Sequence, residues 1–187
     1  EKITGPVLAK KQNYVSVYKQ GIVTNKHLVD KIAEWVKVFR EANLSVLIMV
    51  EEISHGKAID DALWTDYFVP HQFIHGNESS EVRDKAIKDF SSRSLPVLIT
   101  SRILDEGVDT SAIDCLILGG SRKSQIKTMQ RLGRGVRGSN LIVLEFANYC
   151  HKFLTKHSLD RLTSYKAEEC FPIHQYKEGS DKAAMVK

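Results

Sequence analysis

Short, nearly uninterrupted apolar runs alternate along this chain with stretches in which apolar residues recur every three or four positions. That alternation limits the fold more than any other feature. Residues 45–50, 96–100, 114–118 and 141–146 are runs of this kind, and residues 72–75 form a shorter one. An apolar run of strand length suits a strand covered on both faces, as in a parallel sheet, because a strand with one wet face alternates instead. Between the runs, residues 27–42 place Leu28, Ile32, Trp35, Val36 and Phe39 on one helical stripe. Residues 54–67, with Ser54 as a cap, and residues 79–90, 124–132 and 151–170 repeat the helical pattern. Strand and helix in alternation predict an α/β three-layer sandwich with a mostly parallel central sheet of about five strands, joined by right-handed crossovers. Trp35 and Trp64 fall within the helical patterns and are expected in the core. Residues 1–26 are less regular and are expected as a lead-in linker, with the alternating Tyr14-Val15-Ser16-Val17-Tyr18 as an added strand. Residues 27–176 are expected to form the domain, and the polar residues 177–187 a flexible tail.

Composition narrows the function classes. A chain of 187 residues with 42% apolar residues can bury the core of one domain. Its longest apolar runs, such as Val46-Leu47-Ile48-Met49-Val50, are far too short to span a bilayer, so no membrane partner is expected. The chain starts Glu1-Lys2-Ile3-Thr4, without Met and without an apolar signal region, as an excised piece of a longer protein would. Three scattered cysteines, Cys115, Cys150 and Cys170, show no zinc-ligand spacing. They read as buried hydrophobes of a reducing, intracellular protein, and no metal site is expected. A net charge of +4 permits a polyanionic partner without demanding one.

In an open α/β sheet, ligands bind beyond the carboxyl ends of the strands. Two stretches that follow apolar runs carry residues suited to phosphate. The first runs Thr100-Ser101-Arg102-Ile103-Leu104-Asp105-Glu106-Gly107-Val108-Asp109. A hydroxyl at a strand end can donate to a phosphate oxygen, Gly107 permits close approach, and Asp109 can accept from a ribose or an arginine. The same residues also suit a plain strand-to-helix turn with an aspartate cap. The second runs Gln130-Arg131-Leu132-Gly133-Arg134-Gly135-Val136-Arg137. Its arginines present planar forks of donors that match phosphate oxygens. They equally suit a basic helix end that complements the helix dipole. The pairing of both stretches in one α/β pattern favours phosphate chemistry. Yet the chain has no Gly-x-x-x-x-Gly-Lys-Ser/Thr loop, since Gly56-Lys57-Ala58 lacks the upstream glycine and the hydroxyl.

These residues resemble the second RecA-like domain of superfamily 2 helicases and translocases. Gln130-x-x-Gly133-Arg134-x-x-Arg137 is similar to motif VI of that superfamily, and Thr100 to Asp109, ending Glu-Gly-Val-Asp, is similar to motif V. Val46 to Val50 followed by Ser54-His55 resembles motif IV, and Ile74-His75-Gly76 resembles the short segment that follows it. The basic stretch after residue 150 and Gly21-Ile22-Val23-Thr24-Asn25 look closest to phage and bacterial DNA-repair helicases related to UvsW.

The resemblance implies a RecA-like fold and a role for each matching residue. Arg134 and Arg137 would be arginine fingers that reach the γ-phosphate of an ATP held, with Mg2+, by a first RecA-like domain of the same protein. Gln130 would contact the nucleotide or its waters. Asp109, with Gly107 beside it, would bind the ribose or hold a motif VI arginine. Thr100, Ser54, Gly76 and Arg102 would form part of the track for one nucleic-acid strand. Asp105-Glu106 stands where the RNA helicases of the DEAD-box group carry Arg-Gly, which favours DNA over RNA as partner. The resemblance therefore implies the C-terminal motor domain of an ATP-dependent helicase of repair or recombination, in a bacterial or phage-infected cell. This chain alone is expected to be inactive, because the phosphate loop and the Asp-Glu motif belong to the first domain. The competing reading is a binding module of the same fold, with a vestigial arginine segment and no catalysis.

Overall fold

The computed structural model describes residues 2–3, 5–101, 110–120, 141–167, 172–176 and 182. The elements run β1 (Lys2–Ile3), α1 (Tyr14–Tyr18), a π-helical turn (Lys19–Val23), α2 (Lys26–Glu41), β2 (Val46–Val50), α3 (Ile53–Thr65) and β3 (Gln72–Ile74). They continue with α4 (Ser80–Ser91), β4 (Val97–Ser101), a 3-10 turn (Thr110–Ala112), β5 (Cys115–Leu118), β6 (Ile142–Glu145), β7 (Ala147–Asn148) and α5 (Lys152–Lys166).

Five strands pair in the order β3-β4-β2-β5-β6, and every pairing is parallel. This is an α/β fold of the RecA-like kind. The apolar runs become strands because both faces are covered: all of β2, β4 and β5 is buried. Alternate side chains feed two core layers. Val46, Ile48, Val50, Val97, Ile99, Cys115 and Ile117 face α2 and α3. Leu47, Met49, Leu98, Leu116 and Leu118 face Ala86 and Phe90 of α4. Fully burying each such side chain contributes about 1.5–3 kcal/mol, which is why the central strands anchor the domain.

Helix α2 starts at Asn25, whose side chain accepts the Leu28 amide, and buries the stripe predicted for it, Trp35 included. Its end is marked by Asn43 in the left-handed region, at φ 58°. Ser79 caps α4 by accepting the Val82 amide. Helix α3 departs from expectation. It begins at Ile53 after Glu52, with no side-chain cap, so Ser54 lies inside its first turn. Trp64 is 54% exposed and not in the core. It sits on the last turn of α3, where its ring meets that of His71 with centroids 4.9 Å apart.

Tyr14–Tyr18 is a helix, not an added strand. Asn13 caps it by accepting the Ser16 amide, and the rings of Tyr14 and Tyr18, one turn apart, lie 6.0 Å from each other. A strand does pair at the start of the chain, but it is Lys2–Ile3, parallel to Ala147–Asn148. The lead-in residues Leu8, Val17, Tyr18, Ile22 and Val23 are buried in the same core layer as α2 and α3. Of the cysteines, Cys115 is buried and its thiol is pushed up to about 12 by that burial, while Cys150 is half-buried. No helix among the described residues is long and apolar enough to cross a membrane.

Candidate functional site

Central strand β2 has β4 on one side and β5 on the other, and the polar residues that follow these strands emerge along one edge of the sheet. A crevice between strand neighbours at this edge is where open α/β sheets take ligands. The register aligns Met49 of β2, Thr100 of β4 and Ile74 of β3. Ser54 and Gly76 follow shortly after two of these positions. The structure therefore places three of the predicted strand-track residues at the ends of three adjacent strands. Ser54 is exposed on the first turn of α3. Gly76 is exposed too, and a side chain built there would meet nothing within 4 Å. Neither would obstruct a backbone lying across the edge.

Thr100 behaves differently. It has no exposed surface, and its Oγ1 has no hydrogen-bond partner among the described residues. An unpaired buried hydroxyl costs about 1–3 kcal/mol. Contact between this hydroxyl and a phosphate needs its surroundings to rearrange.

His55 is the residue whose setting the motifs do not reveal. It is buried at 1% exposure on the first turn of α3, and its Nε2 has no hydrogen-bond partner among the described residues. Burial alone drives its pKa down to about 4, so the ring is neutral at pH 7. Gly56, the next residue, lets α3 close on β3. A Cβ there would lie 2.3 Å from the Phe73 ring. Phe73 in turn meets His75 edge-on at 5.0 Å, and His75 pairs with Glu78 at 3.3 Å.

On the other side of β2, the Gly119 amide donates to the Met49 carbonyl at 2.9 Å, which ties the exit of β5 to β2. Gly120 then adopts φ +146°, a conformation suited to glycine. Its carbonyl accepts the Tyr18 hydroxyl at 3.0 Å.

The other predicted residues, Arg102, Gly107, Asp109, Gln130, Arg134 and Arg137, lie outside the described residues. Their stretches leave the described fold after Ser101 of β4 and after Gly120 beyond β5, at the same edge of the sheet. What is described fits neither a nucleotide phosphate nor Mg2+. The turn into α3, Glu51-Glu52-Ile53-Ser54, is no glycine-rich loop and offers no cradle for the β-phosphate of a nucleotide. Among the described residues, no group of three His, Cys, Asp or Glu could hold a metal ion.

The profile of the helicase conserved C-terminal domain matches residues 28–139, more than half of the chain. The chain belongs to this family. It is a C-terminal RecA-like domain of a superfamily 2 helicase. The pre-mRNA-splicing ATP-dependent RNA helicase PRP28 of Lodderomyces elongisporus is 31% identical over 68 residues, which is 36% of this chain and 11% of that protein. The structure of T4 UvsW superposes with a TM-score of 0.70 at 20% identity, covering 85% of this chain and 36% of that one. The Sulfolobus solfataricus SWI2/SNF2 ATPase core in complex with dsDNA superposes with a TM-score of 0.57 at 16% identity, covering 77% and 30%. At these identities the two structures speak for the fold. The helicase domain spans only a minor part of such relatives, from 11 to 20% of the length of the curated proteins it matches.

Proposed function

We propose that the chain is the C-terminal half of an ATP-dependent motor that moves on DNA in repair or recombination, with residues 27–176 as the working domain. The observation that carries this reading is the shared edge. The exposed Ser54 and Gly76 and the buried Thr100 lie at the carboxyl ends of adjacent parallel strands, and in sequence the two phosphate-suited stretches continue beyond Ser101 and Gly120 at that edge.

In the longer protein, a preceding RecA-like domain holds ATP and Mg2+. Arg134 and Arg137 face the γ-phosphate across the cleft and stabilise the charge that develops as it passes to water, yielding ADP and phosphate. Gln130 contacts the nucleotide or its waters, and Asp109, beside Gly107, holds the ribose or one of the arginines. Ser54, Gly76, Arg102 and an uncovered Thr100 grip the backbone of one strand, a contact that ignores sequence and weakens with salt. Asp105-Glu106 ahead of Gly107 supports DNA as the substrate. The isolated domain is expected to be inactive, because its sequence carries no Gly-x-x-x-x-Gly-Lys-Ser/Thr loop to hold the β-phosphate.

The test is ATP turnover by the full-length protein carrying Arg137→Ala. Turnover falls by roughly 10³-fold while ATP binding is largely kept, as for other arginine fingers. Undiminished turnover would sink the finger role of Arg137, whereas a full-length parent that turns over no ATP would leave the non-catalytic binding module.

A further inference from the structure

Three helix ends among the described residues are followed by a residue in the left-handed region: Asn43 after α2, Arg93 after α4 and Phe68 after α3. Asparagine tolerates that conformation, whereas a bulky side chain is held there against its preference. Arg93 answers with its ion pair to Asp114. The Phe68 side chain, at φ 51°, is instead 80% exposed to water. The turn itself closes on backbone, since the Val69 amide donates to the Leu63 carbonyl at 3.1 Å. Glycine would serve that turn better than phenylalanine.

Trp64, four residues earlier on the last turn of α3, is also exposed. The pair stands on a fixed base. The side chain of His71 is fully buried, with its Nδ1 2.6 Å from the Val69 carbonyl and its Nε2 2.9 Å from the Asp60 carboxylate. Its ring is the one that meets Trp64.

The charge around the two aromatic residues is mostly negative. Asp61 and Asp66 are exposed, and Asp60 is partly buried. Asp60 and Asp61 precede Trp64 by four and three residues, which puts them on its side of the helix. Of the cations, Lys57 is exposed one turn before these aspartates, and Lys26, which feels the charge of Asp66, is held by Asp30 at 2.7 Å. This corner is therefore acidic on a chain of net charge +4. Helix α3 runs back from the carboxyl edge of the sheet, so its last turn lies away from the residues proposed to grip a strand.

We propose that Trp64 and Phe68, flanked by Asp60, Asp61 and Asp66, form a docking surface for a protein partner that presents an arginine beside an apolar side chain. Arginine suits both parts of the surface, because a guanidinium lies well over an indole face and its fork pairs with a carboxylate. Exposed aromatic residues with a polar rim are where binding energy concentrates in protein interfaces. The same carboxylates repel the phosphates of a nucleic acid. A residue kept in a left-handed turn with its ring in water fits selection for contact and not for stability.

The experiment follows the fluorescence anisotropy of two short labelled peptides added to the full-length protein. One alternates leucine with arginine, the other leucine with glutamate. The parent binds the arginine peptide about tenfold more tightly or better, and added salt weakens that binding. Trp64→Ala weakens it about tenfold. Phe68→Gly weakens it by about threefold or more while Tm stays at or above that of the parent, so the loss cannot be put down to unfolding. The proposal is overturned if the parent binds neither peptide or both alike, or if either variant binds as the parent does. It is also overturned if Trp64→Ala lowers affinity for single-stranded DNA, which would make the corner a nucleic-acid contact. Sedimentation that shows two copies pairing through Trp64 would overturn it in favour of self-association.

Discussion

At the amino-terminal edge of the sheet, Asp114 accepts the Ser45 amide at 2.8 Å and both terminal nitrogens of Arg93 at 2.8 and 3.0 Å. At the carboxyl edge, the His55 Nε2 and the Thr100 Oγ1 are buried with no hydrogen-bond partner among the described residues. The strands between the two edges are equally apolar and equally buried, so the contrast lies in the polar ends. One edge has spent its hydrogen-bonding capacity on linking the starts of β2 and β5 with the turn before β4. The other, among the described residues, leaves these two groups unmatched, and a buried group without a partner costs about 1–3 kcal/mol. Such groups persist where something other than stability selects them. The amino edge is a structural lock and the carboxyl edge is where the proposed function puts ligand handling, and each half of that contrast can be broken separately.

The largest effect on stability is expected at His55. In the unfolded chain a histidine takes up its proton below about pH 6.5, whereas folded His55 does so only near 4. Between those values the unfolded state holds more protons, so stability falls as pH falls, by about 3 kcal/mol over the window. His55→Leu removes both the unmatched nitrogen and this proton linkage. Urea unfolding should show the variant at least as stable as the parent at pH 7. It should also lose less stability between pH 6.5 and 4. An unchanged pH slope would mean that His55 is matched after all, and the carboxyl edge would lose its best example.

The reach of sequence reasoning follows the same division. The strands were legible because burial on both faces leaves an unmistakable apolar run, and β2, β4 and β5 are buried throughout. Tyr14–Tyr18 misled because a five-residue window that alternates also places its first and last residues one helical turn apart. The Asn13 cap, visible in the sequence, was the signal for a helix. Trp64 follows the helical pattern of its neighbours, but its exposure depends on how far the next element reaches over the end of α3. At the carboxyl edge, Ser54, Gly76 and Thr100 were legible as residues that follow strands. The isolation of His55 was not, because it depends on what surrounds the ring. Nor was the Tyr18 hydroxyl on Gly120, a contact between residues 102 apart in sequence.

A smaller effect is expected at Asp114. Burial works against its charge, but the Arg93 guanidinium and the Ser45 amide outweigh it and hold the carboxyl below its ordinary 3.8. Stability from this group is present above that value and is lost as pH falls below it, a window lower than that of His55. Asp114→Ala leaves the buried Ser45 amide without its acceptor and the guanidinium without its carboxylate. We expect a loss of about 2 kcal/mol at pH 7 and a flatter acid limb below about pH 4. Denaturant midpoints across pH measure both. A loss no larger than that of an ordinary exposed ion pair would show that the amino edge is not the structural lock described above.

The smallest effect is expected at Arg93, and its smallness is informative. Arg93 sits at φ 62°, where a residue with a side chain is strained by about 1–2 kcal/mol and glycine is not. Its side chain is half-exposed, so the ion pair with Asp114 contributes about 1 kcal/mol at most. Arg93→Gly therefore removes a strain and an attraction of similar size, and glycine also widens the unfolded ensemble. Its net effect should lie within about 0.5 kcal/mol of the parent. Arg93→Ala keeps the strain and loses the pair, so it should be less stable than Arg93→Gly by about 1 kcal/mol. If alanine and glycine prove equal, the left-handed turn after α4 carries no strain. The arginine would then be there for Asp114 alone.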